Sequence, residues 1–220
     1  MDILTSNGIA HNDGKTSKKI CDHSGASEIP GHPQHENRDL LLVIDMQNAY
    51  TSEGPWTCPH MDRAAERIIT LIESGHFDQI IFTRFDAPRQ PVGTWKKYNT
   101  INREINEDVH MNELIPQLLP YTDIYPVYSK FMYSALSVPE IQAAIEKCTQ
   151  RGGSVVLTGV VSECCVLATA FQSIDVGCPV IYITDACAGS SDELEEAVVR
   201  VLSGLDYVQT TIMDTAGYLK

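Results

Sequence analysis

From Asp39 onward the chain carries two rhythms of apolar and polar positions. "LLLVIDMQ" (residues 40–47) is a continuous apolar run closed by an acid, as a strand buried on both faces reads. "MDRAAERIITLIESG" (61–75) then places Ala65, Ile68, Ile69 and Ile72 at helical spacing, with Gly75 as its stop. The alternation continues. Further strands are predicted in "DQIIFTRF" (78–85), "DIYPVYSK" (123–130), "SVVLTGV" (154–160), "PVIYITDA" (179–186) and "YVQTTIM" (207–213). Further helices are predicted in "NELIPQLLP" (112–120, with a proline break), "VPEIQAAIEKCTQRGG" (138–153), "SECCVLATAFQSIDVG" (162–177) and "DELEEAVVRVLSGL" (192–205). Strands alternating with helices imply right-handed crossovers. The expected fold class is therefore α/β, a three-layer sandwich with a six-stranded, mainly parallel sheet and helices on both faces.

Residues 1–38 break this pattern. They are polar, rich in Gly, Ser, Asn, His and Pro, and read as an arm, partly ordered or packing on a neighbouring subunit, ahead of one domain over 39–220. Cys21, His23, His32 and His35 lie in the arm, but their spacing matches no zinc module, and no metal is expected there.

Composition narrows the function classes. Acidic residues outnumber basic ones 29 to 16, a formal charge of -13, which disfavours nucleic acid or an anionic membrane surface as a partner. Seven cysteines, with no CxxC pair and no secretory signal ahead of them, read as reduced thiols, and a cytoplasmic location is expected. No apolar run is long enough to span a bilayer. The turn after the first strand, "DMQNAYTSEG", has neither GxGxxG nor GxxxxGK[ST], so the phosphate cradle of a nucleotide-binding sheet is missing.

In an open parallel sheet, function gathers beyond the carboxyl ends of the strands. Asp45 ends the first strand, Lys130 ends "DIYPVYSK", and the turn after "SVVLTGV" leads to Cys164 and Cys165. Each has an ordinary alternative: Asp45 as a helix cap, Lys130 as a surface amine, either cysteine as an inert core residue. Together they form a chemically coherent set. A helix N-terminus and an ammonium stabilise a thiolate, a carboxylate takes its proton, and backbone N–H groups hold an oxyanion. Of the two thiols, Cys164 shares a helical stripe with Leu167, Ala168 and Phe171, and Cys165 with Ala168, Thr169 and Gln172. That spacing puts Cys164 in the core and Cys165 toward the cleft.

"LLVIDMQNAY", "VYSKFMYSAL" and "TGVVSECCVLATA", in that order, resemble the three motifs of the isochorismatase-like cysteine hydrolases, a group that includes nicotinamidases. The resemblance covers roughly 39–220. It implies a Rossmann-like sheet, catalytic Cys165, Asp45 and Lys130, an oxyanion hole from the backbone N–H groups of Val161 and Cys165, and a cis peptide between Val160 and Val161. It also implies a homodimer or homotetramer, with a neighbour able to complete the site. Nicotinamidases hold a metal through an Asp and histidines after the second strand. Here that stretch reads "TRFDAPRQPVGTWKKY", with Asp86 and no His, so a member without metal or other cofactor is expected.

Trp95, Tyr133, Tyr50, Trp56, Phe85 and Phe131 are candidates to line a small-molecule pocket. Arg84 and Arg89 are either partners for a substrate carboxylate or solvated arginines. The expected reaction is cleavage of an amide-type C–N bond through a thioester. Three rivals stand beside it: vinyl ether hydrolysis, a catalytically silent binding protein on the same fold, and a redox pair formed by Cys164 and Cys165.

Overall fold

The structure, a computed structural model, describes residues 38–205 and 208–220. All of the expected arm except Arg38, including Cys21 and its neighbouring histidines, lies outside the described residues.

The chain runs β1 (Leu40–Ile44), α1 (Met61–Glu73), β2 (Gln79–Phe85), α2 (Thr94–Ile101), α3 (Arg103–Glu107), α4 (Val109–Asn112), α5 (Leu119–Thr122) and β3 (Val127–Lys130). It continues through α6 (Pro139–Gln150), β4 (Val155–Val160), α7 (Leu167–Asp175), β5 (Val180–Ala188), α8 (Asp192–Ser203), β6 (Thr210–Met213) and α9 (Thr215–Tyr218). The strands form one six-stranded sheet in the order β3-β2-β1-β4-β5-β6, every neighbouring pair parallel. The chain builds outward from β1 to β3, then returns to place β4 on the other side of β1. The direction of winding therefore reverses between β1 and β4, where an open α/β sheet opens a crevice at its carboxyl edge.

All five residues of β1 are fully buried, which is why its apolar run is continuous. Leu40, Leu42 and Ile44 face a core shared with Ile141 and Ile145 of α6 and Val198 and Leu202 of α8. Leu41 and Val43 face the opposite core, with Ala64, Ile68 and Leu71 of α1 and with Leu118. Each such side chain contributes about 1.5–3 kcal/mol by leaving water.

Three expectations need correction. The helix expected over 112–120 is only a 3-10 turn at Pro116–Leu118 followed by the single turn α5, because Pro116 and Pro120 each remove an amide donor. The strand expected over 123–130 is paired only from Val127. The stretch 94–111, without a predicted element, forms α2, α3 and nearly all of α4. None of these helices buries a residue fully, so they leave no apolar periodicity to read.

β4 crosses beside β1 at a glycine. Gly159 has φ +104°, and a Cβ there would collide with the backbone of Ile44. Gly159→Ala is expected to cost about 3 kcal/mol or more in urea unfolding. A loss under about 1 kcal/mol would contradict this close approach.

Candidate active site

Asp45 sits at the end of β1 with φ +50°, in the left-handed region that Asp tolerates better than most residues. Its amide donates to the Thr83 carbonyl at 3.2 Å, and the Thr83 hydroxyl donates to Asp45 Oδ1 at 2.7 Å. The second carboxylate oxygen, Oδ2, lies 2.6 Å from Lys130 Nζ, and both side chains are fully buried. Lys130 Nζ also donates to Cys165 Sγ at 3.2 Å and to the Met132 carbonyl at 3.1 Å, and it stands 5.2 Å from the centre of the Phe85 ring. The structure thus brings Asp45, Lys130 and Cys165 together around one buried ammonium.

β2 lies between β3 and β1, with Phe85 in register with Lys130. Two strand spacings separate β3 from β1, roughly 10 Å. The long lysine stem bridges that gap across the Phe85 ring. Gln47 braces the same edge: its amide group donates to the carbonyls of Phe85 and Asn112, both at 3.0 Å, and its oxygen accepts from the Phe85 amide at 2.9 Å.

After β4 the Val160–Val161 peptide is cis. Ser162–Val166 then forms one π-helical turn, in which the Val166 amide reaches the Val161 carbonyl at 3.2 Å, before α7 begins. This geometry corrects the stripe argument for the two thiols. Cys165 is the more buried of the pair, at 3% exposure, while Cys164 is partly exposed. The stripe of small polar side chains faces inward and satisfies itself: Thr169 Oγ1 donates to the Cys165 carbonyl at 2.7 Å and accepts from the Ala135 amide at 3.0 Å, and Ser173 Oγ donates to the Thr169 carbonyl at 2.8 Å. Phe171, assigned to a core stripe, is 41% exposed. Back-bonded hydroxyls bury well on a helix, and a π turn spoils the 100° spacing on which the stripe rested. Cys165 remains the thiol next to Lys130.

A cavity of about 550 Å³ opens onto these groups. Cys164, Cys165 and Val161 form its floor, and Tyr50, Phe85 and Tyr133 are among its walls. Trp95 borders an adjoining cavity and packs against Tyr133, ring centres 5.3 Å apart. Phe131 is a correction: it is 42% exposed and borders neither of these cavities, because the residue after an inward-pointing Lys130 turns outward. Trp56, also a candidate, lines the main cavity, and Tyr98, Pro55, Thr57, Glu163 and Ser190 line it without having been singled out as site residues. Tyr98 lies one helical turn after Trp95, the i, i+3 spacing that was its available signal.

Arg84 is occupied by Asp86 at 3.1 Å and Ser129 at 3.2 Å, and neither it nor Arg89 lines the cavity. Among the described residues no group of three His, Cys, Asp or Glu side chains is placed to hold a metal ion. Asp86, the acid in the stretch after β2, is paired to Arg84. Among the described residues, no helix is long and apolar enough to cross a membrane.

A model of the isochorismatase domain matches residues 39–216. The chain belongs to the isochorismatase family. Its relatives include the isochorismatase family protein YddQ of Bacillus subtilis (strain 168), 24% identical over an alignment of 187 residues that covers 82% of this chain and 98% of that one. Among solved structures it is similar to a cysteine hydrolase from Pseudomonas syringae pv. phaseolicola 1448A, with TM-score 0.69, 17% identity and coverage of 87% and 94% of the two chains. It is similar also to the nicotinamidase PncA from Bacillus subtilis, with TM-score 0.63, 20% identity and coverage of 80% and 99%. These likenesses show the fold, the six-stranded α/β sandwich of isochorismatase-like hydrolases.

In this family member the site's electrostatics favour a protonated resting state. Burial pushes the Cys165 thiol up, and the neighbouring Asp45 carboxylate pushes it further; the pull of Lys130 in the other direction is the smaller effect. Burial alone would lower the Lys130 ammonium, but Asp45 and Cys165 more than offset it, so it is raised. Burial also raises the Tyr50 phenol and pushes the Cys58 thiol up to about 12. Each of these groups holds its proton more tightly folded than unfolded. Their stabilisation is fully present below the unfolded values and is lost as pH rises through the folded ones. Stability measured by urea unfolding is therefore expected to fall above about pH 9, at up to ~1.4 kcal/mol per pH unit for each group. A flat profile to pH 11 would contradict the buried, protonated site.

Proposed function

We propose that this protein is a metal-independent cysteine hydrolase that cleaves an amide-type C–N bond of a small molecule through a thioester acyl-enzyme. The observation carrying this reading is the buried ammonium of Lys130, 2.6 Å from the Asp45 carboxylate and 3.2 Å from the sulfur of Cys165, which lines the cavity. A lysine so placed is costly in a fold that does not use it.

In this reading Cys165 is the nucleophile and meets the substrate as a neutral thiol. As its sulfur bonds to the carbonyl carbon, the thiol proton passes to Asp45, and the carbonyl electrons move onto oxygen. The backbone N–H groups of Val161 and Cys165 receive that oxyanion. When it collapses, the C–N bond breaks and the leaving nitrogen takes the proton from Asp45. Water then attacks the thioester while Asp45 accepts its proton. The second collapse releases the acid and returns the proton to Cys165. Lys130 holds Asp45 in place and lowers the cost of the developing thiolate. Exposed apolar side chains at Phe131, Met132 and Phe171 support assembly of this chain into a homodimer or homotetramer.

Intact-mass spectrometry after brief exposure to a panel of small carboxamides tests the reading. An acyl adduct is expected on wild type and on Cys164→Ala, with none on Cys165→Ala. Asp45→Asn is expected to lower kcat by about 10²–10⁴. An adduct that persists in Cys165→Ala would overturn the assignment.

A further inference from the structure

Much of the cavity lining is aromatic: Tyr50, Trp56, Phe85, Tyr98 and Tyr133. The Trp56 ring centre lies 5.5 Å from that of Tyr50 and 6.4 Å from that of Tyr98, and Tyr98 meets Phe85 edge-on at 6.1 Å. Among the described residues that line the cavity none is basic, and Glu163 is the one acid. Lys130 is fully buried beneath the floor and neutralised by Asp45. Arg63 is committed to Glu195 at 3.2 Å and to the Cys187 carbonyl at 3.3 Å. With Asp45 and Lys130 cancelling and Cys165 protonated, Glu163 sets the sign of the charge a ligand meets.

Glu163 is also incompletely satisfied. Its Oε1 accepts from the amide of Ser190 at 3.1 Å and from the Ser190 hydroxyl. Its Oε2 is buried without any hydrogen-bond donor, packed so closely on Gly189 that a Cβ there would stand 2.7 Å from it. No cation among the described residues pairs with Glu163, so its charge stands at the cavity lining without a counter-charge. Electron-rich ring faces beside an unpaired carboxylate form a site for a cation, and they repel an anion.

We infer that the substrate is a small amide whose non-reacting end is cationic or rich in N–H donors, held among Trp56, Tyr50 and Tyr98, and that Glu163 is the residue that selects it. This rests on the hydrolase reading for the word substrate, but the ligand class follows from the cavity itself. Carboxylate-bearing amides are excluded for want of a basic partner.

The test uses three benzamides that differ only at the para position: aminomethyl (cationic), hydroxymethyl (neutral) and carboxylate (anionic). Turnover is measured on wild type, Glu163→Gln and Trp56→Leu, and calorimetric binding on Cys165→Ala, which needs no chemistry. The cationic amide is expected to exceed the anionic one in kcat/KM by about 30-fold or more, carried mainly by KM. Glu163→Gln is expected to shrink that ratio at least fivefold, and Trp56→Leu to shrink it independently should the first variant fold poorly. Cation-selective binding to Cys165→Ala without turnover of any amide by wild type would uphold the ligand class and sink the hydrolase reading. Turnover with equal or anion-favouring ratios would overturn the inference and leave the hydrolase standing. Absence of both binding and turnover would overturn it as well.

Discussion

A lysine ammonium with no exposure to water is the constraint on which the rest of the site depends. Removing such a charge from water costs several kcal/mol, and the Coulombic return repays this only when geometry and hydrogen bonding are both good. Lys130 receives the Asp45 carboxylate at 2.6 Å, the Met132 carbonyl at 3.1 Å, the Cys165 sulfur at 3.2 Å and the face of Phe85. Each partner in turn imposes something on the fold. Asp45 must end β1 with φ +50° and be gripped by Thr83 from the neighbouring strand. Gln47 must hold the backbone of Phe85 so that its ring lies under the lysine stem. Gly159 must let β4 close against Ile44, so that the turn after it delivers Cys165 to the same point.

The same arrangement decides how the thiol can act. An ammonium shared with a carboxylate at 2.6 Å has little field left for a sulfur 3.2 Å away. Burial and Asp45 therefore outweigh Lys130, and the resting group is a thiol rather than a preformed thiolate. A carboxylate beside a neutral thiol is an acceptor waiting for a proton. In the proposed reaction deprotonation therefore accompanies attack, when charge leaves sulfur for the forming bond and for the substrate oxygen. A neutral nucleophile also spares the site a second buried anion while the cavity is empty.

Much of this was legible from the chain, and the reason is topological. A parallel sheet buried on both faces writes its central strands as unbroken apolar runs, so the carboxyl ends of β1 and β4, at Asp45 and the turn before Cys165, are visible without coordinates. β3 is instead a half-exposed edge strand, and its end at Lys130 was read from a weaker pattern. What escaped detection lacked such a pattern. Helices α2–α4 bury no residue fully, so no apolar stripe marked them, and Tyr98 was lost with them although it stands one turn after Trp95. Glu163 went unnoticed because a carboxylate in a turn is ordinarily solvated; its contacts to Ser190 and Gly189 come from a segment 27 residues further on. The cysteine stripe failed for a different reason. It assumed α-helical spacing from Ser162, where the chain forms a π turn, and it took hydroxyls as outward-facing when Thr169 and Ser173 return their bonds to the helix backbone.

The state of the Cys165 thiol is the point on which the account turns. The most direct measurement is the rate of Cys165 alkylation by iodoacetamide as a function of pH, followed by peptide mapping so that Cys164 is scored separately. The account predicts slow modification of Cys165 at pH 7, with a rate still climbing above pH 9. A rate already at its plateau below pH 7 would show a standing thiolate–ammonium pair, and Asp45 would then have no thiol proton to take.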